Sequence, residues 1–393
     1  PAGFTREFWH MGENGLTFGK VLDAIQLTEN YVVGLNRPSA TYAYALQGEE
    51  PIISVKVGGT EIASSDYLQN GNSVTLNASA FTAAGDTSVV IETSAAVYAG
   101  RAEVYDIAIG SLEEFKGFWS KEGQPATTVT TKVAFTADID ASSYNFNGGT
   151  VIANSTFNGI IDGKGHTVKG APSGYYGMFY CVGSDAVIKN IAFTGIRFFR
   201  VSAIVNYKLE GRIENCYFEG SGGSAADDNA LSKQMGATAV LKNVVVYLHD
   251  RPSGTETQCG VFVSLTSGAT SLTTAPEGVY VVNDSSNGKI CDGAGATDLS
   301  DVHLYSSLGE FINDVTELPE GFSPDIWRID ENGGLVFTSS PEGLPTFGLH
   351  NVKIKENSSR TFVRNKKSEY VIIADNDGAE MAKAVKFITD NVY

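Results

Sequence analysis

The sequence predicts an all-β protein built around a parallel β-helix, with a β-sandwich before it and a short α/β segment after it. Three observations carry that prediction. An apolar strand holding one asparagine returns along the middle of the chain, as Val187-Ile188-Lys189-Asn190-Ile191-Ala192-Phe193, Arg212-Ile213-Glu214-Asn215-Cys216-Tyr217-Phe218 and Val240-Leu241-Lys242-Asn243-Val244-Val245-Val246, with a weaker echo at Leu299-Ser300-Asp301-Val302-His303-Leu304. Its steps of roughly 25 to 29 residues fall in the range of stacked structural repeats. From about residue 19 to 108 the pattern changes to short strands of period two, separated by glycine and asparagine turns. Finally, glycine is abundant, at 43 of 393 residues, and no long helical pattern precedes the C-terminal region.

The chain opens with a segment that it uses twice. Pro1-Ala2-Gly3-Phe4-Thr5-Arg6-Glu7-Phe8-Trp9-His10-Met11 parallels Pro319-Glu320-Gly321-Phe322-Ser323-Pro324-Asp325-Ile326-Trp327-Arg328-Ile329, and Glu13-Asn14-Gly15-Leu16 and Phe18 parallel Glu331-Asn332-Gly333, Leu335 and Phe337. Residues 1–18 therefore read as a terminal strand segment, either the tail of a preceding repeat or a strand that caps something. With no signal peptide and no initiator methionine at Pro1, the chain is expected to be a piece of something longer.

Residues 19–108 carry strands such as Ile52 to Val57, Ser73 to Leu76 and Ser88 to Thr93, with turns at Gly58-Gly59-Thr60, Gln69-Asn70-Gly71-Asn72 and Ala84-Gly85-Asp86. About seven strands at this spacing suit an Ig-like sandwich. The run through Asp66-Tyr67, Gly71-Asn72, Val74, Leu76 and Gly85 resembles the Ig-like X-modules of bacterial polysaccharide-degrading enzymes, which implies a spacer role.

The β-helix is assigned to 109–340. Ser111 to Trp119 reads as a capping helix, with Ser111 as N-cap, Glu113 and Glu114 in the first turn, and Leu112, Phe115 and Trp119 on one apolar face. Such a face plugs the open end of a coil stack, which otherwise exposes core and strand edges. Thr127 to Ile139 supplies the first strands. Asn190, Asn215 and Asn243 are expected at tight corners, because asparagine tolerates the left-handed backbone and bonds its own neighbours. Phe157, Gly159, Asp162-Gly163, Gly165-His166 and Val168 resemble the opening coil of secreted bacterial right-handed β-helix modules of the GLUG-repeat type. That resemblance covers about 130 to 340 and implies a right-handed coil and an extracellular setting, without implying an activity. Residues 341–393 hold a linker and a strand and helix. Ser368 to Tyr393 resembles the opening βα unit of the small N-terminal domain of some bacterial glycoside hydrolases.

Composition limits the function classes. A net charge of −17 disfavours nucleic acid and anionic membrane surfaces, which need a basic footprint. No apolar run reaches the length of a membrane span. Cys181, Cys216, Cys259 and Cys291 form no C-x-x-C pair, so no zinc site is expected; buried thiols are preferred to a disulfide between coils. No metal ligand set, cofactor motif or catalytic constellation is assigned. Asp162 and His166 lie in a tight turn, and Asp227-Asp228-Asn229 lies in a polar loop that lacks the calcium-loop spacing.

The candidate binding residues are Tyr175, Tyr176, Phe199 and Arg200, together with His249, Asp250 and Arg251. Tyr175, Tyr176, Phe179, Tyr180, Phe198 and Phe199 supply more rings than one narrow core holds, and exposed rings beside Arg or Asp form platforms for sugar stacking. His249-Asp250-Arg251 is the densest ionisable cluster after a coil strand. The expected function is a non-catalytic, carbohydrate-associated or adhesive spacer at the cell surface. Its expected partners are a glycan and other modules of the same parent chain. The alternatives are a β-helix lyase or hydrolase and a phage tail-spike fragment.

Overall fold

The computed structural model describes residues 9–12, 15–18, 24–119, 128–143, 152–170, 178–197, 204–221, 231–249, 260–263, 272–283, 289–291, 301–329 and 334–338. All lie in the first of two compact units, residues 1–339; the expected α/β segment at 341–393 falls outside the described residues.

The middle of the chain is a parallel β-helix. Each full rung gives one strand to each of two sheets. The long sheet runs Ile107–Ile109, Lys132–Phe135, Ile160–Lys169, Val187–Arg197, Arg212–Ser221, Val240–His249, Glu277–Asn283, Val302–Tyr305, every neighbour parallel. The second runs from Thr128–Val129 and Ile152–Phe157 through Phe179–Val182, Val205–Leu209 and Ser232–Met235 to Gly260–Val263 and Lys289–Cys291. Like residues stack on like. Ile161, Ile188, Ile213 and Leu241 are in register and buried, as are Val168, Phe193, Phe218, Val246 and Val281. The rings of Phe193 and Phe218 lie 6.0 Å apart and nearly parallel. A short strand alone cannot bury its apolar face; stacking lets each rung cover the next.

The asparagine corners form a ladder. Asn190, Asn215 and Asn243 all take the left-handed backbone, with φ of 55°, 51° and 53°. Asn243 Nδ2 donates to Asn215 Oδ1 (2.9 Å), Asn215 Nδ2 to Asn190 Oδ1 (3.1 Å), and Asn190 Nδ2 to Asp162 Oδ1 (3.0 Å). Each side chain thus satisfies the next one along the axis. Cys216 is fully buried with a free thiol, pushed to high pKa by burial, and Cys181 is also free. The pairing of Cys259 and Cys291 lies outside the described side chains.

The helix α1 (Leu112–Trp119) closes one end. Ser111 Oγ accepts from the Glu114 N–H (3.2 Å) and donates to Glu114 Oε2 (3.1 Å), so the helix start is held from both sides. Phe115 and Trp119 are fully buried. Trp119 meets Phe179 at 5.7 Å and Phe193 at 6.2 Å, so the plug reaches both sheets. Phe118, absent from the expected apolar face, is buried as well.

Residues 24–105 form a β-sandwich. One sheet is ordered Ala24–Gln26, Val97–Tyr105, Gly85–Thr93, Ile52–Val57, Thr60–Glu61, with Tyr31–Gly34 also on Val97–Tyr105; the other is Thr41–Ala45, Ser73–Asn77, Tyr67–Asn70. Tyr44, Val55, Val74, Leu76, Val89 and Ile91 are fully buried between them. The turn expected at Ala84-Gly85-Asp86 is shorter, because the strand already begins at Gly85.

The sandwich runs into the β-helix without a flexible linker. Ile107–Ile109 follows the strand Val97–Tyr105 after one residue and pairs with Val133, Ala134 and Phe135 of the long sheet. Lys164 Nζ meets Glu103 Oε2 at 2.5 Å and Asp162 Oδ2 at 3.3 Å, and the Tyr105 hydroxyl donates to Asp162 Oδ2 (3.3 Å). Arg37 grips Glu114 of the cap helix through Nε and Nη2, both at 2.8 Å. That guanidinium holds the Glu114 carboxyl below its ordinary range.

The far rungs carry a clip on their outer face. Helix α2 (Leu308–Asp314) and a hairpin of Trp327–Ile329 with Leu335–Phe337 pack over Val245 and Val282. Trp327 is 1% exposed, its ring 5.1 Å from Phe322, 5.2 Å from Phe337 and 6.5 Å from Tyr217. At the chain start, Trp9–Gly12 and Gly15–Phe18 form a second hairpin.

Candidate functional site

Of the seven residues expected to bind a ligand, six fall outside the described residues. Tyr175, Tyr176, Phe199, Arg200, Asp250 and Arg251 lie outside the described residues. His249 ends the strand Val240–His249, its backbone opposite Ser221. Of the rings counted as a surplus, Phe179 is fully buried in the core, and Tyr180 stacks at 5.9 Å on Tyr207 of the next rung. The Asp227-Asp228-Asn229 loop is also outside the described residues.

The ionisable groups of the first coil are engaged in the fold. Asp162 is buried and bonded by Lys164, Lys189, Asn190 and the Lys164 N–H. Burial pushes its carboxyl up, but the two ammonium groups and the amide donors outweigh that and hold it below the usual carboxylate range. His166 Nδ1 lies 3.2 Å from Asp138. Among the described residues, no three His, Cys, Asp or Glu side chains are grouped to hold a metal ion, and no helix is long and apolar enough to cross a membrane.

The surface that stands out is on the sandwich. Among the described residues, the large hydrophobic side chains left exposed are Ile53, Leu68 and Tyr207, and the first two, 60% and 69% exposed, lie at one margin. Leu68 sits on Tyr67–Asn70, which pairs with Ser73–Asn77 on one side and is the edge of its sheet. The side chain of Gln69 laces this edge to the start of the strand Ile52–Val57. Its Nε2 donates to the Glu50 carbonyl (2.9 Å) and its Oε1 accepts from the Ile52 N–H (3.3 Å). Ile53 and Leu68 are the chain neighbours of Ile52 and Gln69 in that link. Ile53 is displaced from the regular ladder, because the pairing of Ile52–Val57 with Gly85–Thr93 shifts register beside it, between Glu92 and Thr93. The surroundings are acidic: residues 38–100 hold Glu49, Glu50, Glu61, Asp66, Asp86 and Glu92 against one base, Lys56.

This margin lies inside the segment that comparison with known families recognises. Residues 38–100 match the family described as heme-binding protein Shr-like, Hb-interacting domain. The match falls within the sandwich. No match to the chain was found among curated proteins or among solved structures. The match gives the chain an extracellular or cell-surface setting, in line with the expectation from sequence.

It also corrects the expected partner. A glycan was expected from a surplus of rings, whereas the matched family is described by its interaction with hemoglobin, a protein, and by heme binding. The residues of 38–100 do not fit a heme site. Haem iron is ligated by His, Cys, Met or Tyr, and this segment has no His, Cys or Met. Of its tyrosines, Tyr42, Tyr44 and Tyr98 are in the core, and Tyr67 is part-buried. An apolar pair on an acidic surface suits docking to a protein.

Sequence reasoning missed Ile53 and Leu68. Period-two alternation places Ile53 on the same side as the buried Val55 and Val57, and only the register shift turns it out. The signal available for Leu68 was the alternation that pairs it with polar Asn70 in a four-residue strand ending at a turn.

Proposed function

We propose that the chain is a non-catalytic module of a cell-surface protein whose sandwich docks on hemoglobin through the Ile53–Leu68 margin, while the β-helix acts as a rigid adhesive spacer. The observation that carries this reading is the coincidence of the two exposed apolar residues with the segment matched to the Hb-interacting domain. Apolar anchors within a polar surround are where interface energy concentrates. The rigid-spacer role draws support from the Lys164–Glu103 and Arg37–Glu114 links, which tie the sandwich to the first rung and to its cap.

The β-helix is assigned to the GLUG-repeat type on the same motif positions as before. Phe157, Asp162 and Val168 are buried. A Cβ at Gly159 meets the Thr131 carbonyl of the preceding rung, and one at Gly163 meets the Asn190 carbonyl of the next, so both glycines answer to the approach of a neighbouring rung. Gly165 takes φ of +84°, open to glycine at little cost.

The test is binding of the full chain to native hemoglobin, parent against Ile53→Asp and Leu68→Asp. Each variant is expected to weaken binding by roughly 30-fold, the effect of losing a hot spot of about 2 kcal/mol. Unchanged binding by both would refute the assigned margin, and no binding by the parent would refute the function.

A further inference from the structure

The duplicated segment has a geometry that points to a second docking element. In the Trp327 hairpin, Trp327 lies opposite Phe337, Arg328 opposite Val336, and Ile329 opposite Leu335. The hairpin at the chain start repeats this register: Trp9 lies opposite Phe18, His10 opposite Thr17, and Met11 opposite Leu16. Every residue pair in the second hairpin therefore has its sequence counterpart at the matching place in the first.

What the Trp327 copy does is visible. It closes the outer face of the long sheet, where Val245 and Val282 would otherwise be bare; instead they are 1% and 0% exposed. It also ends the asparagine ladder. Gly321, at φ of +86°, turns its carbonyl to accept from Asn243 Nδ2 (2.8 Å), so the last Nδ2 of the ladder donates to the clip. Phe322, 5% exposed, then packs on Trp327. The first copy has Gly3 and Phe4 at the places of Gly321 and Phe322. The same residue types thus stand at the places of Gly321, Phe322, Trp327 and Phe337.

We propose that residues 1–18 are a second clip, built to seat on the outer face of an asparagine-laddered β-helix other than the one described here. The face of this β-helix is taken by its own clip, so the fitting partner is a second β-helix of the same construction.

The test uses the full chain in two forms. In the first, Pro319–Phe337 is replaced by the sequence of Pro1–Phe18. This exchange is expected to unfold within about 4 °C of the parent, a loss of about 1 kcal/mol, whereas the same exchange carrying Trp9→Ala and Phe18→Ala unfolds well below it. In the second, a synthetic Pro1–Phe18 peptide is added to the full chain. It is expected to bind the Trp327→Ala/Phe337→Ala variant and raise its unfolding temperature, and to leave the parent unchanged, since that face is closed. If the exchange melts with its alanine control, or the peptide leaves the clip-disabled variant unaffected, the first hairpin is not a clip and the inference falls. Neither readout involves hemoglobin, so failure here leaves the docking proposal standing.

Discussion

Asn215 donates its side-chain amide to Asn190 at 3.1 Å while accepting, through its own carbonyl oxygen, from Asn243 at 2.9 Å. It is the middle of a chain that starts at buried Asp162 and ends at the Gly321 carbonyl. Two separate demands meet at this residue: a left-handed backbone and a side chain with both a donor and an acceptor.

Substitutions at Asn215 separate those demands. Asn215→Ala loses both hydrogen bonds and, without the polar side chain that lets asparagine tolerate the left-handed region, leaves alanine strained at φ of 51°, for a cost of about 3 kcal/mol. Asn215→Gly loses the bonds but accepts the backbone, for about 2 kcal/mol. Urea denaturation is expected to rank parent, then Gly, then Ala; an alanine variant as stable as the glycine one would show that the backbone at this corner is unstrained.

The Asp162 cluster sets an acid limb on stability. The folded-state carboxyl lies below its unfolded value, so its stabilisation is present above about pH 4 and fades as pH falls through the lower folded value. Lys164 is shifted the other way: burial lowers its pKa, but Asp162, Glu103 and Tyr105 more than reverse that and leave it raised. Its contribution is complete below about pH 10 and is lost only at higher pH. Urea midpoints measured from neutral pH downward should fall more steeply for the parent than for Asp162→Asn. At neutral pH the variant, which leaves two ammonium groups beside a neutral amide, should be less stable by about 3 kcal/mol.

The cap helix offers a graded pair of variants. Trp119→Ala empties a fully buried site between the two sheets and is expected to cost about 4 kcal/mol. Ser111→Ala removes the N-cap bonds alone, for about 1 kcal/mol. Thermal unfolding should show both, with Trp119→Ala the larger by far; equal effects would mean that the helix does not plug the core.

Arg37→Lys probes the seam between sandwich and cap. A lysine places one ammonium where the guanidinium makes two parallel bonds to Glu114, and the pair is about 29% exposed on each side. A loss of about 0.5 to 1 kcal/mol is expected. Because Glu114 also accepts from the Gly110 N–H at 2.8 Å, the cap helix itself should stay folded by circular dichroism.

Much of the long sheet was legible because one residue type marks each rung. Asparagine at a repeated spacing carries both the corner and the axial bond, so three short motifs fixed the stacking of Val187–Arg197, Arg212–Ser221 and Val240–His249. The second sheet was not legible. Strands such as Phe179–Val182 and Ser232–Met235 show only two or so inward residues, too few for a period, and the glycine that follows each, Gly183 and Gly236, is a turn residue found throughout this glycine-rich chain. Helix α2 was missed although Ser307 and Glu310 repeat the Ser111–Glu114 spacing and Ser307 Oγ accepts from the Glu310 N–H (3.1 Å). The sequence parallel between residues 1–18 and 319–337 was readable, but the hairpin register shared by Trp9–Phe18 and Trp327–Phe337 was not. The docking margin was hidden by an irregularity: an alternation rule cannot foresee the register shift that exposes Ile53.

Hydrogen–deuterium exchange of the full chain with and without native hemoglobin tests the docking role most directly. Slower exchange is expected for amides around Ile52–Ser54 and Leu68–Gly71, with the β-helix strands unchanged. Protection confined to the β-helix, or none at saturating hemoglobin, would contradict it.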